Sequence, residues 1–220
     1  MKRNVDINDI SDGRFYGIND MAKLGCMDCA GCSACCHGMG ATIVIDPYDF
    51  YRMSGRLKMN FEQMLAKHLE LNVVDGVVLP NLRLSAEDEG CTFLNAEGRC
   101  TIHDARPGIC RLFPLGRYYE NHDYKYFLQV NECHKDNRTK VKISKWIDTP
   151  NYDKYRQFVI DWHYFLNDVE EKANSLGEQA KKYSLILLET FYMRAYDMER
   201  EFYEQYMERK KLCEMLFAKI

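Results

Sequence analysis

The stretch 25–40 reads GCMDCAGCSACCHGMG and places Cys26, Cys29, Cys32, Cys35 and Cys36 within eleven residues. Each Cys-x-x-Cys step brings two sulfurs to one side of a tight loop, a spacing that suits tetrahedral zinc or the corner irons of a cluster. Three overlapping steps extend that loop into a wrap around a metal centre. Soft thiolates select zinc, copper(I) or iron–sulfur units. The apolar residues nearby, Leu24, Met27 and Met39, are too few to form a core. A metal is therefore expected to order this segment, since structural sites supply on the order of 10–16 kcal/mol.

Cys91, Cys100, Cys110 and Cys133 form a second set, and Cys213 stands alone near the end of the chain. Disulfides and a thioredoxin-like dithiol are the rival readings of these thiols. The adjacent Cys35 and Cys36 argue against the first, and the absence of an isolated Cys-x-x-Cys in a βαβ pattern argues against the second. The opening MKRNVDINDISDGRFYGIND holds no apolar run of a secretory signal, and no stretch approaches the roughly 20 apolar residues of a membrane span. The expected location is cytoplasmic, where disulfides are rare. No membrane is expected as a partner. A net charge of −3 gives no support to nucleic acid either.

Between Arg99 and Arg117 the chain carries Arg99, Arg106, Arg111 and Arg117 against one acid, Asp104. Thiolates around a metal leave net negative charge, and arginine is the usual partner of a partly buried anion. Arg106 and Arg111 are the candidate cofactor-binding residues. A patch for an anionic substrate beside the metal is the alternative, and solvated surface arginines are the bland reading. His37, His103 and His134 adjoin the cysteines and could each replace a thiolate. No phosphate loop or His-Glu-x-x-His occurs, and HGMGA is a bare Gly-x-Gly.

Around the cysteines the chain predicts short elements. Residues 1–24 look irregular, and Ala41–Ile45 reads as a buried strand. Asp46 and Pro47 start one helix, and Asn60 caps another that carries Phe61, Met64, Leu65 and His68. Asp75-Gly76 between valine pairs suits a two-residue hairpin, and a second hairpin turns near Asn121 to Asp123. The segment 91–117 is loop-like. Beyond it Tyr155, Phe158, Val159, Trp162, Leu166 and Val169 share one helical face. Gly177 marks a helix–helix turn, and a second helical segment runs from Glu178 to about Phe217. As one straight helix it would span about 60 Å, which calls for a bend or an overhang.

These motifs resemble the YkgJ-type cysteine cluster family, whose CxxCxxCC pattern is matched by CAGCSACC and whose members are described as zinc- or iron-chelating. CTFLNAEGRCTIHDARPGICRLFP is similar to its second block, and Cys133 in VNECHK to its late cysteine; the likeness covers roughly residues 20–135. The resemblance implies Cys29, Cys32, Cys35, Cys36, Cys91, Cys100, Cys110 and Cys133 as metal ligands, with Cys26 an additional cysteine. Arg106 and Pro107 fall on its Arg-Pro. Flagellin lysine N-methylases carry a similar domain, which implies a metal-dependent modifying enzyme as a further role.

The expected architecture is α+β: a metal-stapled cysteine-rich domain with short β-hairpins and helices over residues 1–145, then an antiparallel helix pair over 146–220. The expected function is metal binding, first as iron–sulfur ([4Fe-4S], one or two clusters) with a redox or sensing role. A zinc module that presents the carboxy-terminal helices to a protein partner is the second reading.

Overall fold

The protein is described from a computed structural model, which covers residues 6–26, 32–135, 137–175 and 180–220. Cys29 and Gly177 lie outside the described residues. The architecture is α+β, built from short antiparallel sheets packed against helices.

Both expected hairpins form. β3 (Leu69–Val74) and β4 (Val77–Leu82) pair from Val74–Val77 to Leu69–Leu82 around Asp75-Gly76, where both residues have positive φ. β5 (Leu115–Glu120) and β6 (Asp123–Gln129) pair around Asn121 and His122, which also adopt positive φ. Expected caps are present as well. Asp46 starts α2 (Pro47–Leu57) by accepting the Asp49 N–H, and Asn60 with Gln63 makes a capping box on α3 (Phe61–Lys67).

The amino terminus departs from the irregular expectation. Its described part contains α1 (Ile7–Ile10), β1 (Ser11–Tyr16) and β2 (Met21–Gly25). β1 joins the edge of β6, pairing Phe15 with Phe127, while β2 pairs with β7 (Thr139–Lys142), placing Ala22 opposite Val141. Partners more than a hundred residues away stabilise these strands, so local pattern does not announce them.

Ala41–Ile45 departs in the other direction. Gly40–Thr42 is a 3-10 turn, and a single bridge joins Val44 to Asn81 of β4. Ile45 N–H donates to Pro80 O at 2.9 Å, but Pro80 has no N–H to return. The Ile45 carbonyl accepts instead from Tyr192 Oη at 2.8 Å. A proline thus stops the ladder, and a helical tyrosine takes the carbonyl left over.

After α4 (Gly108–Leu112) and α5 (Ile143–Ile147) comes α6 (Tyr152–Ser175). Its expected face is buried at Tyr155, Phe158, Val159, Trp162 and Val169, with Phe165 buried in addition and Leu166 only partly so. The following segment bends, as its length demands. α7 (Ala180–Leu188) runs into a π turn at Glu189–Met193, and α8 (Phe202–Phe217) begins after a break. No Gly or Pro marks that break. Side chains of α8 satisfy its backbone: Gln205 bonds Asp197 N–H and carbonyl, and Arg209 donates to the carbonyls of Thr190, Arg194 and Ala195.

One buried apolar cluster runs from Ala22 to Phe217. Tyr48 and Phe50 of α2 pack against Tyr155, Phe158, Tyr192 and Phe202, with ring centroids 5.0–6.1 Å apart. Such pairs add about 0.5–1.5 kcal/mol each beyond their area burial. The hairpin β3–β4 rests on α7, where Ser184 Oγ accepts the Val78 N–H at 3.0 Å. Among the described residues no helix is long and apolar enough to cross a membrane.

Candidate metal centre

Main-chain bonds bring the first and second cysteine sets together. Cys35 and Cys36 sit in a 3-10 turn at Ala34–Cys36, after which the chain pairs with 89–91. Gly38 N–H donates to Glu89 O at 3.0 Å, and Cys91 N–H donates to Cys36 O at 2.8 Å. Gly38 has φ +64°, a value that favours glycine. The loop from Cys91 to Cys100 closes through a Leu94–Cys100 bridge, and the Asn95 side chain accepts the N–H groups of Glu97 and Arg99.

Cys110 is placed by α4, and α4 is docked by an acid that the sequence did not single out. Asp49, on α2 and 2% exposed, accepts the Gly108 N–H at 2.7 Å. A Cβ at residue 108 would fall 2.6 Å from Tyr155 Oη and 3.4 Å from Asp49 Oδ1, so this close approach requires glycine. Burial raises the Asp49 carboxyl above its usual range, against the pull of Arg111.

A cavity of about 460 Å³ results, with Cys32, Cys35, Cys36, Cys91, Cys100 and Cys110 all on its wall. His37, His103, His134 and Arg106 line it too. Cys133 is not on the wall, although its neighbours Glu132 and His134 are. Cys26 is buried and lines an adjoining cleft that shares Cys100, His103, Arg106 and Trp146 with the first cavity. Arg111 lines that cleft. Cys213 is buried on α8 and lines neither space. Trp146 of α5 lines both, and nothing in its sequence context marked it.

The cavity thiols are held above the usual thiol range. A hydrogen bond from the neighbouring Cys36 and then burial push the Cys35 thiol well up. Burial first raises Cys91, Cys100 and Cys110 as well, and neighbouring thiols add to the rise at Cys91 and Cys110. Arg106 opposes the rise at Cys35, Cys100 and Cys110. Buried thiols crowded in this way ionise when a soft metal binds, because the metal supplies the missing positive charge. The donor set therefore fits zinc or iron. Among the described residues, no three Cys, His, Asp or Glu side chains converge closely enough to hold a single ion. The six described thiols on the wall are spread around a space.

A family model described as "Putative zinc- or iron-chelating domain", with the signature CxxCxxCC, matches residues 28–141. No curated protein and no solved structure matches the chain at a significant level. With six of its thiols gathered on one wall and more than half of its length matched, the chain belongs to the CxxCxxCC family of metal-chelating domains.

Proposed function

We propose that the cavity holds an iron–sulfur cluster and that the protein works in electron transfer or redox sensing. One observation carries the reading: six thiols from both cysteine sets line about 460 Å³, and among the described residues no three donors converge. A zinc ion draws four donors to about 2.0–2.3 Å from one point. A cluster takes thiolates at separate corner irons and so suits donors spread around a volume.

The proposed ligands are Cys29, Cys32, Cys35, Cys36, Cys91, Cys100, Cys110 and Cys133, enough for one or two four-thiolate sites, with Cys26 the spare. A cluster bound there supplies one-electron redox chemistry. Arg106 offsets thiolate charge, and a cation so placed favours the more negative, reduced state. The buried Phe93 and Ile102 on the cavity wall limit water. Residues 1–145 act as the metal unit in a reducing cytoplasm, and 146–220 brace it and offer a face to a protein partner.

Anaerobic purification with iron, acid-labile sulfide and zinc assays tests the reading. A brown protein with iron and sulfide is expected, and Cys110→Ser should lower both. A colourless protein holding stoichiometric zinc would replace the cluster with a structural site. Full metal content in Cys110→Ser would remove the second cysteine set from the ligands.

A further inference from the structure

Away from the thiols, the ribbon of β2 and β7 meets the β1–β6 sheet at a concave surface. Asp12, Arg14 and Tyr16 of β1, Lys23 of β2, Leu128 of β6 and Lys140 of β7 line a pocket of about 360 Å³ there. The register of the ribbon sets Lys23 directly opposite Lys140. Like charges directly opposite each other destabilise an antiparallel pair. The two ammonium groups have no hydrogen-bond or ion-pair partner among the described residues that would offset the repulsion. Both lysines are exposed, so a molecule in the pocket can reach them.

The rest of the wall does not balance this charge. Ser11 pairs with Gln129 and Phe15 with Phe127, so β1 takes four steps where β6 takes two, and Gly13 in that bulge has φ +75°. The bulge frees Asp12 and Arg14 from the ladder, and both stand on the pocket wall. Asp12 is the one acid there among the described residues, and both its oxygens are in use. Its Oδ1 accepts the Arg14 N–H at 3.2 Å, and its Oδ2 accepts the Tyr16 hydroxyl. Tyr16 adds no charge, because burial first and Asp12 second push it up to about 12. Three cations thus face one carboxylate, a surplus of two charges, in a chain whose net charge is −3.

We propose that this pocket binds a small phosphorylated molecule, with its phosphomonoester dianion seated between Lys23, Lys140 and Arg14. Such a group carries about −1.5 to −2 charge at pH 7 and three acceptor oxygens, which matches both the surplus and the number of cations. A carboxylate would leave half of the surplus unmet. Met21, half-exposed on the same wall, gives the organic part an apolar contact. No thiol takes part, so the site is independent of the metal reading.

Calorimetric titration of the full-length protein with phenyl phosphate, and separately with benzoate, tests the proposal. Saturable phenyl phosphate binding that weakens as salt is raised is expected, with benzoate clearly weaker. Lys23→Gln and Lys140→Gln should each bind phenyl phosphate about fivefold more weakly, while Lys140→Arg keeps most of the affinity. Both positions are exposed, so these variants fold. Thermal unfolding gives a second reading. Without ligand Lys140→Gln should melt above wild type, because the repulsion is gone, and phenyl phosphate should raise its Tm less than it raises that of wild type. No saturable binding, benzoate binding as tight as phenyl phosphate, unchanged affinity in both glutamine variants, or a ligand-free Lys140→Gln that melts below wild type would overturn the proposal.

Discussion

Gly108→Ala tests whether the metal loops are positioned by the scaffold behind them. The added Cβ would sit 2.6 Å from Tyr155 Oη, closer than real Cβ contacts come, so either the α4 backbone or the tyrosine must move. Tyr155 is fully buried and its hydroxyl accepts from Arg117 Nη2 at 3.1 Å, so the tyrosine cannot swing away freely. Overpacking of this kind costs about 1–3 kcal/mol. Retreat of α4 stretches the bond from Gly108 N–H to Asp49, and bonds to charged groups are worth about 1.5–3 kcal/mol. We expect a net loss of about 3 kcal/mol. In a chain of this size that lowers Tm by about 6–12 °C. Thermal unfolding followed by far-UV circular dichroism reads the stability, and a metal assay on the same sample reads the site, because α4 carries Cys110. The double variant Gly108→Ala with Tyr155→Phe removes the clashing oxygen and should recover part of the loss. Wild-type Tm and metal content in Gly108→Ala would refute the claim that this contact places Cys110.

Three further outcomes follow from the same geometry. Cys26→Ala should keep most of the metal, since Cys26 faces the adjoining cleft, while Cys32→Ala, Cys35→Ala and Cys36→Ala should each lose it; equal loss in all four would make Cys26 a ligand. Cys213→Ala should leave metal stoichiometry and spectrum unchanged, because that thiol is buried on α8 away from both spaces, and metal loss would overturn this placement. Burial first, and Asp49 second, hold the Asp46 carboxyl above its ordinary 3.8, so the folded state keeps a proton that the unfolded chain releases. Stability from this group is therefore full below about pH 4 and is lost as pH rises through the raised folded value. Asp46→Asn, which preserves the helix cap, should gain on wild type by about 1 kcal/mol or more between pH 4 and pH 8 in urea unfolding at matched metal state. A pH-independent difference would show that the carboxyl is not held up.

Legibility of the fold tracked the range of the interactions. Asp75-Gly76, Asp46-Pro47 and Asn60 act on residues within four positions, and each turn or cap stands where its sequence puts it. β1 and β2 depend on β6 and β7, and the break before α8 depends on Gln205 and Arg209 reaching back, so neither leaves a local trace. At the site, cysteine spacing pointed to both sets, and six of those thiols share one wall. Asp49 was invisible because its role is a contact with a backbone N–H 59 residues away. Trp146 was invisible because its position facing both spaces is set by α5 folding beneath them.

The main-chain bonds from Cys91 to Cys36 and from Gly38 to Glu89 change what metal binding accomplishes. Peptide groups join the two blocks at 36–38 and 89–91, in addition to anything the thiolates supply. A site assembled beforehand spends little of its binding free energy on arranging chain, and the remainder appears as affinity. The pairing sets the two halves of the cage facing each other through bonds that no thiol supplies. Replacing a thiol would remove a ligand and leave these bonds in place. Breaking the pairing of 36–38 with 89–91 would separate the halves while leaving every thiol in place.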